Sequence, residues 1–259
     1  MFVYTELGLT LCALGIALYC AHQIRRCLQL VHTMANQSRR DNATLFQQLE
    51  ALLGLYVELG LRKSLPTTRD WAASPDFLLE LARHAIAEKP LTVVECSSGA
   101  STLVLARCMQ LNGAGKVYSL EHDPEYAQAT RAQLARHGLS DYAAVLVAPL
   151  RPWHFGEQAW QWYSHEVLPG ALEIDMLAID GPPMVSAAQA RYPAGPALFH
   201  RLAPNGAVFM DDTKRADEQA ILLRWQREFP HLLQSARACE KGCAVLRHHP
   251  AARAPSAVG

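Results

Sequence analysis

Hydrophobic and polar positions follow two different rhythms along the chain. From Leu7 to Ile24 the run LGLTLCALGIALYCAHQI holds no Asp, Glu, Lys or Arg, and these eighteen residues reach the lower edge of what spans a hydrocarbon core of about 30 Å. Glu6 precedes the run and Arg25 and Arg26 come after it. A secretory leader would show the reverse charge order and a cleavage site of small residues. Residues 1–26 therefore predict a single-pass transmembrane anchor, and the positive-inside rule places the chain beyond Arg26 in the cytoplasm. His32 to Leu61 reads as a helix that turns from polar to amphipathic, with Leu45, Leu49, Leu52, Tyr56 and Leu59 at helical spacing. Residues 27–65 are thus a helical stalk, a packing helix, or a contact that makes a homo-oligomer.

Beyond that point short apolar runs alternate with helical patterns. The segment PTTRDWAASP (Pro66–Pro75) breaks the helix, and Ser74 before Pro75 starts another. Phe77, Leu78, Leu81 and Ile86 form that helix's apolar stripe. Strands are predicted at Leu91–Cys96, Lys116–Glu121, Ala143–Ala148, Ile174–Asp180 and Gly206–Asp211. Helices are predicted at Ser101–Leu111, Pro124–His137, Pro196–Leu202 and Ala216–Phe229. This order implies βαβ units, an α/β fold with a parallel sheet covered on both faces. Leu232–Ala238 and Ala244–Arg247 read as a closing hairpin at the sheet edge. The globular domain spans 66–247, and a disordered Pro/Ala-rich tail covers 248–259.

Composition narrows the function. Lys+Arg 24 balance Asp+Glu 24, which argues against a nucleic-acid partner held by its phosphates. Seven cysteines without a C-x-x-C pair suit reduced thiols better than disulfides or a zinc site.

In open parallel sheets ligands bind beyond the carboxyl ends of the strands. Four of the predicted strands deliver acids there: Glu95, Glu121, Asp180, and the pair Asp211-Asp212. The first strand runs into the small-residue turn Ser97-Ser98-Gly99-Ala100 and then a helix, where free backbone N–H groups and close ligand approach are available. Glu121 lies about 20 residues beyond that turn, the spacing of an acid that accepts both ribose hydroxyls. The turn lacks the glycines of G-x-G-x-x-G, and there is no P-loop pattern. That favours a nucleoside without phosphates over NAD, FAD or a nucleoside triphosphate. Each acid also has a plainer reading, Glu95 as a turn cap and Asp123 before Pro124 as a helix N-cap.

V-V-E-C-S-S-G-A-S-T resembles the first motif of class I S-adenosylmethionine-dependent methyltransferases, and SLEHDPEYA resembles their second. IDMLAIDGPP, ARYPAGPALFHRLAPNGAVFMDDTKRADE and RWQREFP are similar to the methyltransferase-24-like bacterial subfamily, and the likeness runs from Trp71 to Arg247. The resemblance implies a Rossmann-like seven-stranded methyltransferase sheet whose last strand is antiparallel. It implies S-adenosylmethionine as cofactor, bound by Glu95, Ser97, Ser98, Gly99, Ser101, Thr102, Glu121, His122 and Asp180, with His122 and Ala148-Pro149-Leu150 beside the adenine. Glycine is usual in the family where this chain has Ser97, and a serine there either crowds the cofactor or strains the backbone.

Oxygen acceptors need a base or a metal to lose their proton. Asp180 and Asp212 are the candidate catalytic groups. Asp180, Asp211 and Asp212 resemble the magnesium-binding acids of catechol-type O-methyltransferases, so Mg²⁺ is the candidate ion, against the plainer reading of a polar strand exit. Arg191 and Tyr192 follow in a loop where they can meet the acceptor. Lys214 and Arg215 can pair with the acids or with an anionic acceptor. Trp71 is placed to close over the pocket or to join the core, and Trp153, Trp160, Trp162 and Tyr163 read as packing under a loop, with a substrate wall as the lesser alternative. The expected activity is O-methylation of a small or membrane-associated acceptor, such as a lipid-linked sugar or polyketide-like product. The competing readings are a membrane-anchored scaffold with a degenerate nucleoside pocket and, less favoured by the single glycine, a dehydrogenase.

Overall fold

A computed structural model describes residues 2–69, 72–156, 158–170 and 172–248. The expected tail, apart from His248, and Trp71 lie outside these residues. The chain divides into two compact units, residues 1–47 and 48–259.

The first unit is helical throughout its described residues, within a continuous helix α1 (Phe2–Leu59). Large apolar side chains such as Leu11, Leu14, Leu18, Leu28 and Met34 are exposed along it. The expected transmembrane anchor, with the cytoplasm-facing placement built on it, is overturned: among the described residues no helix is long and apolar enough to cross a membrane. The uncharged run is cut short by His22, Gln23 and then Arg25 and Arg26, below the roughly 20 predominantly apolar residues a span requires.

In the second unit, the end of α1 buries Ala51, Leu55 and Leu59, the last two completely. They pack with Phe77, Leu78 and Leu81 of α2 (Pro75–Glu88). The buried face is thus one turn-position away from the stripe that starts at Leu45 and Leu49, which stay exposed. Ser74 and Pro75 open α2 as their order predicts, with Ser74 Oγ donating to Asp76 Oδ1 at 2.6 Å.

A seven-stranded sheet forms the centre. It is built from β1 (Thr92–Cys96), β2 (Lys116–Glu121), β3 (Ala143–Val147), β6 (Ile174–Ile179), β7 (Leu202–Asp211), β8 (Leu232–Arg237) and β9 (Cys243–His248), in the order β3-β2-β1-β6-β7-β9-β8. Only β9 runs against the others, pairing antiparallel with both β7 and β8. The expected terminal hairpin is present, but its second strand enters the sheet between β7 and β8.

Helices α3 (Ala100–Asn112), α4 (Pro124–His137), α5 (Ala194–Leu198) and α6 (Ala216–Glu228) complete the alternation. Side chains alternate faces along a strand, so Val93 joins the apolar cluster shared with α1, α2 and α3, whereas Val94 and Cys96 join the cluster of α5 and α6. From β1 the chain winds outward through β2 and β3, then returns to β6 on β1's other side. This reversal between β1 and β6 is the crevice where such sheets bind ligands.

One element goes beyond what the sequence pattern predicts. Residues read as packing under a loop form a two-stranded ribbon, β4 (Leu150–Phe155) and β5 (Gln158–Tyr163). It starts and ends at the carboxyl edge, and its Trp160, Trp162 and Tyr163 are buried against the α5–α6 cluster.

Candidate active site

The turn after β1 is strained at one point. Ser97 sits at φ 129° and Gly99 at φ 143°, a region open to glycine but disfavoured for other residues. A conformation of this kind costs of order 1–3 kcal/mol. The strain expected of a serine in this position is present. Ser97 is fixed there by its backbone N–H donating to Leu120 O at 3.1 Å. Across the crevice, Gly181 is the only residue type that fits: a Cβ would collide with Tyr163 Oη and lie 3.1 Å from Cys96 O.

Glu95 points away from this turn, into the layer between β1, β2 and α3. Its Oε2 accepts Thr102 Oγ1 and Ser119 Oγ, each at 2.6 Å. Burial pushes its carboxyl up to about 7. Hydrogen bonds from Ser101, Ser119 and Thr102 pull it down, and Asp180 adds to the rise. Thr102 Oγ1 also accepts from Gly99 N at 3.0 Å, tying this group to the turn.

At the end of β2, Glu121 is buried with both oxygens engaged. Oε2 accepts Ser98 Oγ at 2.7 Å, and Oε1 accepts Asp123 N at 3.0 Å. His122 Nδ1 lies 3.0 Å from Oε1, and the His122 ring meets Tyr163 edge-on at 6.3 Å. Asp123 takes the N-cap role expected of it. Its Oδ1 accepts Glu125 N and Tyr126 N at 2.8 and 3.2 Å and caps α4.

On the other side of the crevice Asp180, Asp211 and Asp212 converge, one carboxylate oxygen of each lying within 4.8 Å of the others. Asp212 leaves the strand at φ 61°, a left-handed turn that aspartate tolerates better than most residues. Into this group projects Arg191, only 5% exposed. Its Nη2 donates to Asp212 Oδ2 at 2.7 Å, to Asp180 O at 2.6 Å and to Asp180 Oδ1 at 3.2 Å. Its Nη1 donates to Asp211 O at 3.0 Å. Arg215 Nη1 adds a second cation at 2.8 Å from Asp212 Oδ2, and the buried Glu218 lies 3.8 Å from both guanidinium groups. Asp211 has neither side-chain oxygen paired. Burial first, then Asp180 and Asp212, hold its carboxyl well above the ordinary range.

Residues 94–213 match the profile of the family described as "Methyltransferase domain". The segment is a methyltransferase domain. Solved methyltransferases share the fold. The Podospora anserina enzyme PaMTH1, crystallised with S-adenosylhomocysteine, is 16% identical over 83% of this chain and 97% of its own, with a TM-score of 0.59. A Geobacter sulfurreducens methyltransferase is 15% identical over 81% of this chain and 95% of its own, at TM-score 0.52. The O-methyltransferase TomG of Streptomyces achromogenes, in complex with S-adenosylmethionine, is 15% identical over 78% and 89% at TM-score 0.50. No curated protein matches the sequence.

The methyltransferase's crevice fits its cofactor in chemistry. S-adenosylmethionine carries a sulfonium and an ammonium, and the crevice offers Glu121 and Asp180 with the small-residue turn between them. Glu121 keeps lone pairs beyond those given to Ser98 and Asp123, since each carboxylate oxygen accepts two hydrogen bonds. A divalent ion fits less well. Asp180 and Asp212 already share the Arg191 guanidinium, and an ion about 2.1 Å from their oxygens would stand close to it. At roughly 4 Å the repulsion between +2 and +1 is about 8 kcal/mol at an effective dielectric near 20. The Asp180–Asp211–Asp212 group is built around an internal cation instead.

Two other expectations at this site change. Arg191 faces the acids, not an acceptor, and Tyr192 is fully buried, its hydroxyl donating to Glu228 and its ring lying under Arg224 at 3.6 Å. Lys214 turns away to donate to Glu240 O at 2.7 Å, while Arg215 pairs with the acids. Glu218 is not singled out for the site by its sequence position, and Tyr163 only as one member of an aromatic cluster. Their signals are an acid in the first turn of α6 and an aromatic at the end of the Gln-Ala-Trp-Gln-Trp-Tyr run. A cleft of about 680 Å³ beside the starts of β6 and β7, lined by His165, Glu166, Glu173, His200 and Arg201 among others, contains none of the crevice's acids.

Proposed function

We propose that this methyltransferase methylates an ionisable hydroxyl of a small acceptor bound above the carboxyl edge of the sheet. One observation supports the reading most. Asp180 is the most exposed of the three clustered acids and is tied to the motif turn by its N–H donating to Cys96 O at 3.2 Å. S-adenosylmethionine supplies an electrophilic methyl carbon on its sulfonium, and transfer is an in-line displacement whose rate depends on near-attack geometry. Ser97, Ser98 and Gly99 line the methionine side, and Glu121 accepts from the ribose hydroxyls beside His122. Glu95 acts from beneath, holding the turn through Thr102. Burial pushes the Asp180 carboxyl up to about 6, Arg191 opposing the rise and Asp212 adding to it. At neutral pH it is ionised yet more basic than an ordinary carboxylate, suited to accept the proton of a phenol or enol. Asp212, held by two arginines, fixes Asp180 in place.

Titration calorimetry with S-adenosylmethionine, and methyl transfer to a panel of phenols, enols and hydroxy acids, test this. Glu121→Ala should weaken cofactor binding about 10–100-fold, the worth of hydrogen bonds to a charged group. Asp180→Asn should weaken cofactor binding less than Glu121→Ala does and lower turnover about 10²–10⁴-fold, the scale of general-base catalysis. Unchanged binding by Glu121→Ala would place the cofactor elsewhere, and methyl found on nitrogen or carbon would remove the hydroxyl acceptor.

A further inference from the structure

We infer that Arg191 takes the place of a divalent ion at the acid cluster, so that this methyltransferase works without metal and orients Asp180 with a guanidinium from its own chain. The inference rests on the proposed role of Asp180 and extends it.

The geometry is specific to arginine. A metal ion in such a site would bridge carboxylates from the ends of two neighbouring strands. Arg191 does so with hydrogen bonds, joining Asp180 at the end of β6 to Asp212 at the end of β7. The same fork reaches the backbone carbonyls of Asp180 and Asp211, so both the strand ends and their side chains are held by one group. Lysine, with a single compact ammonium, lacks the planar fork to hold four acceptors at once. The cation is internal by construction, since Arg191 is as buried as the acids it serves. Two guanidinium groups, Arg191 and Arg215, thus stand against the carboxylates of Asp180, Asp212 and Glu218. The loop that carries Arg191 is closed by backbone hydrogen bonds on both sides, Tyr192 N to Gln189 O at 2.9 Å and Ala194 N to Arg191 O at 3.1 Å. Gln189 N donates to Asp217 Oδ2 at 3.0 Å, tying the loop to α6. Arg191 is therefore a positioning residue, acting on the acceptor through Asp180.

Mn²⁺, followed by electron paramagnetic resonance, is the probe that reads the cluster without turnover. Wild-type protein should leave the free Mn²⁺ signal unchanged up to millimolar metal. If methyl transfer is detected, dialysis against EDTA should leave its rate within twofold, and added Mg²⁺ should not raise it further. Binding of Mn²⁺ below 1 mM that disappears in Asp212→Asn would overturn the inference, whatever the fate of the acceptor reading. Arg191→Ala should gain Mn²⁺ binding at least tenfold over wild type, because it leaves the acids around an empty cation position. A folded Arg191→Ala that gains none would show that no cation position exists there, and would also overturn it. Should that variant not fold, Arg191→Lys serves: it should keep EDTA insensitivity and cofactor KM within threefold while kcat falls at least tenfold, and guanidinium ion should not be required. A Lys variant with unchanged kcat would reduce Arg191 to a structural cation and end the positioning claim.

Discussion

Two groups of buried acid sit at the carboxyl edge of this sheet, and they are satisfied in opposite ways. Glu95 is clad in hydroxyls: Thr102 and Ser119 donate to it, and among the described residues no cation pairs with it. Asp180 and Asp212 are clad in guanidinium, with Arg191 between them and Arg215 on the flank. Hydroxyls satisfy a carboxylate's hydrogen bonding without cancelling its charge, so the burial cost persists and appears as a raised proton affinity. A guanidinium cancels charge as well, at the expense of burying a second ion. The first arrangement makes a scaffold part that can simply hold its proton. The second keeps a carboxylate ionised where chemistry can use it.

The sharpest break between the two is removal of a partner. Arg191→Met leaves Asp180, Asp212 and Glu218 without their buried cation and should cost about 3–5 kcal/mol in chemical denaturation. Glu95→Gln should stay within about 1 kcal/mol near pH 5, where Glu95 is protonated in the folded protein anyway. Proton linkage gives the next effect. The folded-state value of about 7 lies above the ordinary 4.5, so between those limits the folded protein holds a proton that the unfolded chain releases. Wild-type stability should therefore fall relative to Glu95→Gln as pH rises through that window, by up to about 3 kcal/mol at about 1.4 kcal/mol per pH unit. Denaturation curves of the two proteins from pH 5 to 8 read the difference, and parallel curves would mean that the hydroxyls neutralise Glu95 as well as a cation would. The smallest effect is loss of one hydroxyl: Thr102→Val should cost about 1–2 kcal/mol, since the Gly99 N–H loses its acceptor and Glu95 one donor.

The hydroxyl-clad group was legible in the chain and the guanidinium-clad one only in part. Glu95, Ser98, Gly99, Thr102 and Glu121 follow the strand–turn–helix order that β-branched and small residues impose locally, and their partners lie in the adjoining strand and helix. Asp180, Asp211 and Asp212 were legible as strand ends. Arg191 was visible as a loop residue, but its inward direction is decided by the deficit of charge around the acids, which no periodicity reports. Buried acids of one sign need a cation from somewhere, but proximity in sequence pointed to Lys214 and Arg215, directly after the acid pair, and left Arg191 to the acceptor. The β4–β5 ribbon escaped notice because its exposed polar positions and Pro152 weaken the strand pattern. The first helix was read correctly as helix, whereas its length in apolar residues fell short of the membrane role assigned to it.

The position of β9 has a consequence for the order in which this molecule comes into being. Asp211 lies opposite Cys243, so the strand that carries the acid pair has an open edge until almost the last residues of the domain are available. Synthesis proceeds from the amino end, and every acid of the crevice is already made when that edge is still bare. A ribosome that stops before Cys243 releases a chain with all the chemistry and no finished wall to hold it.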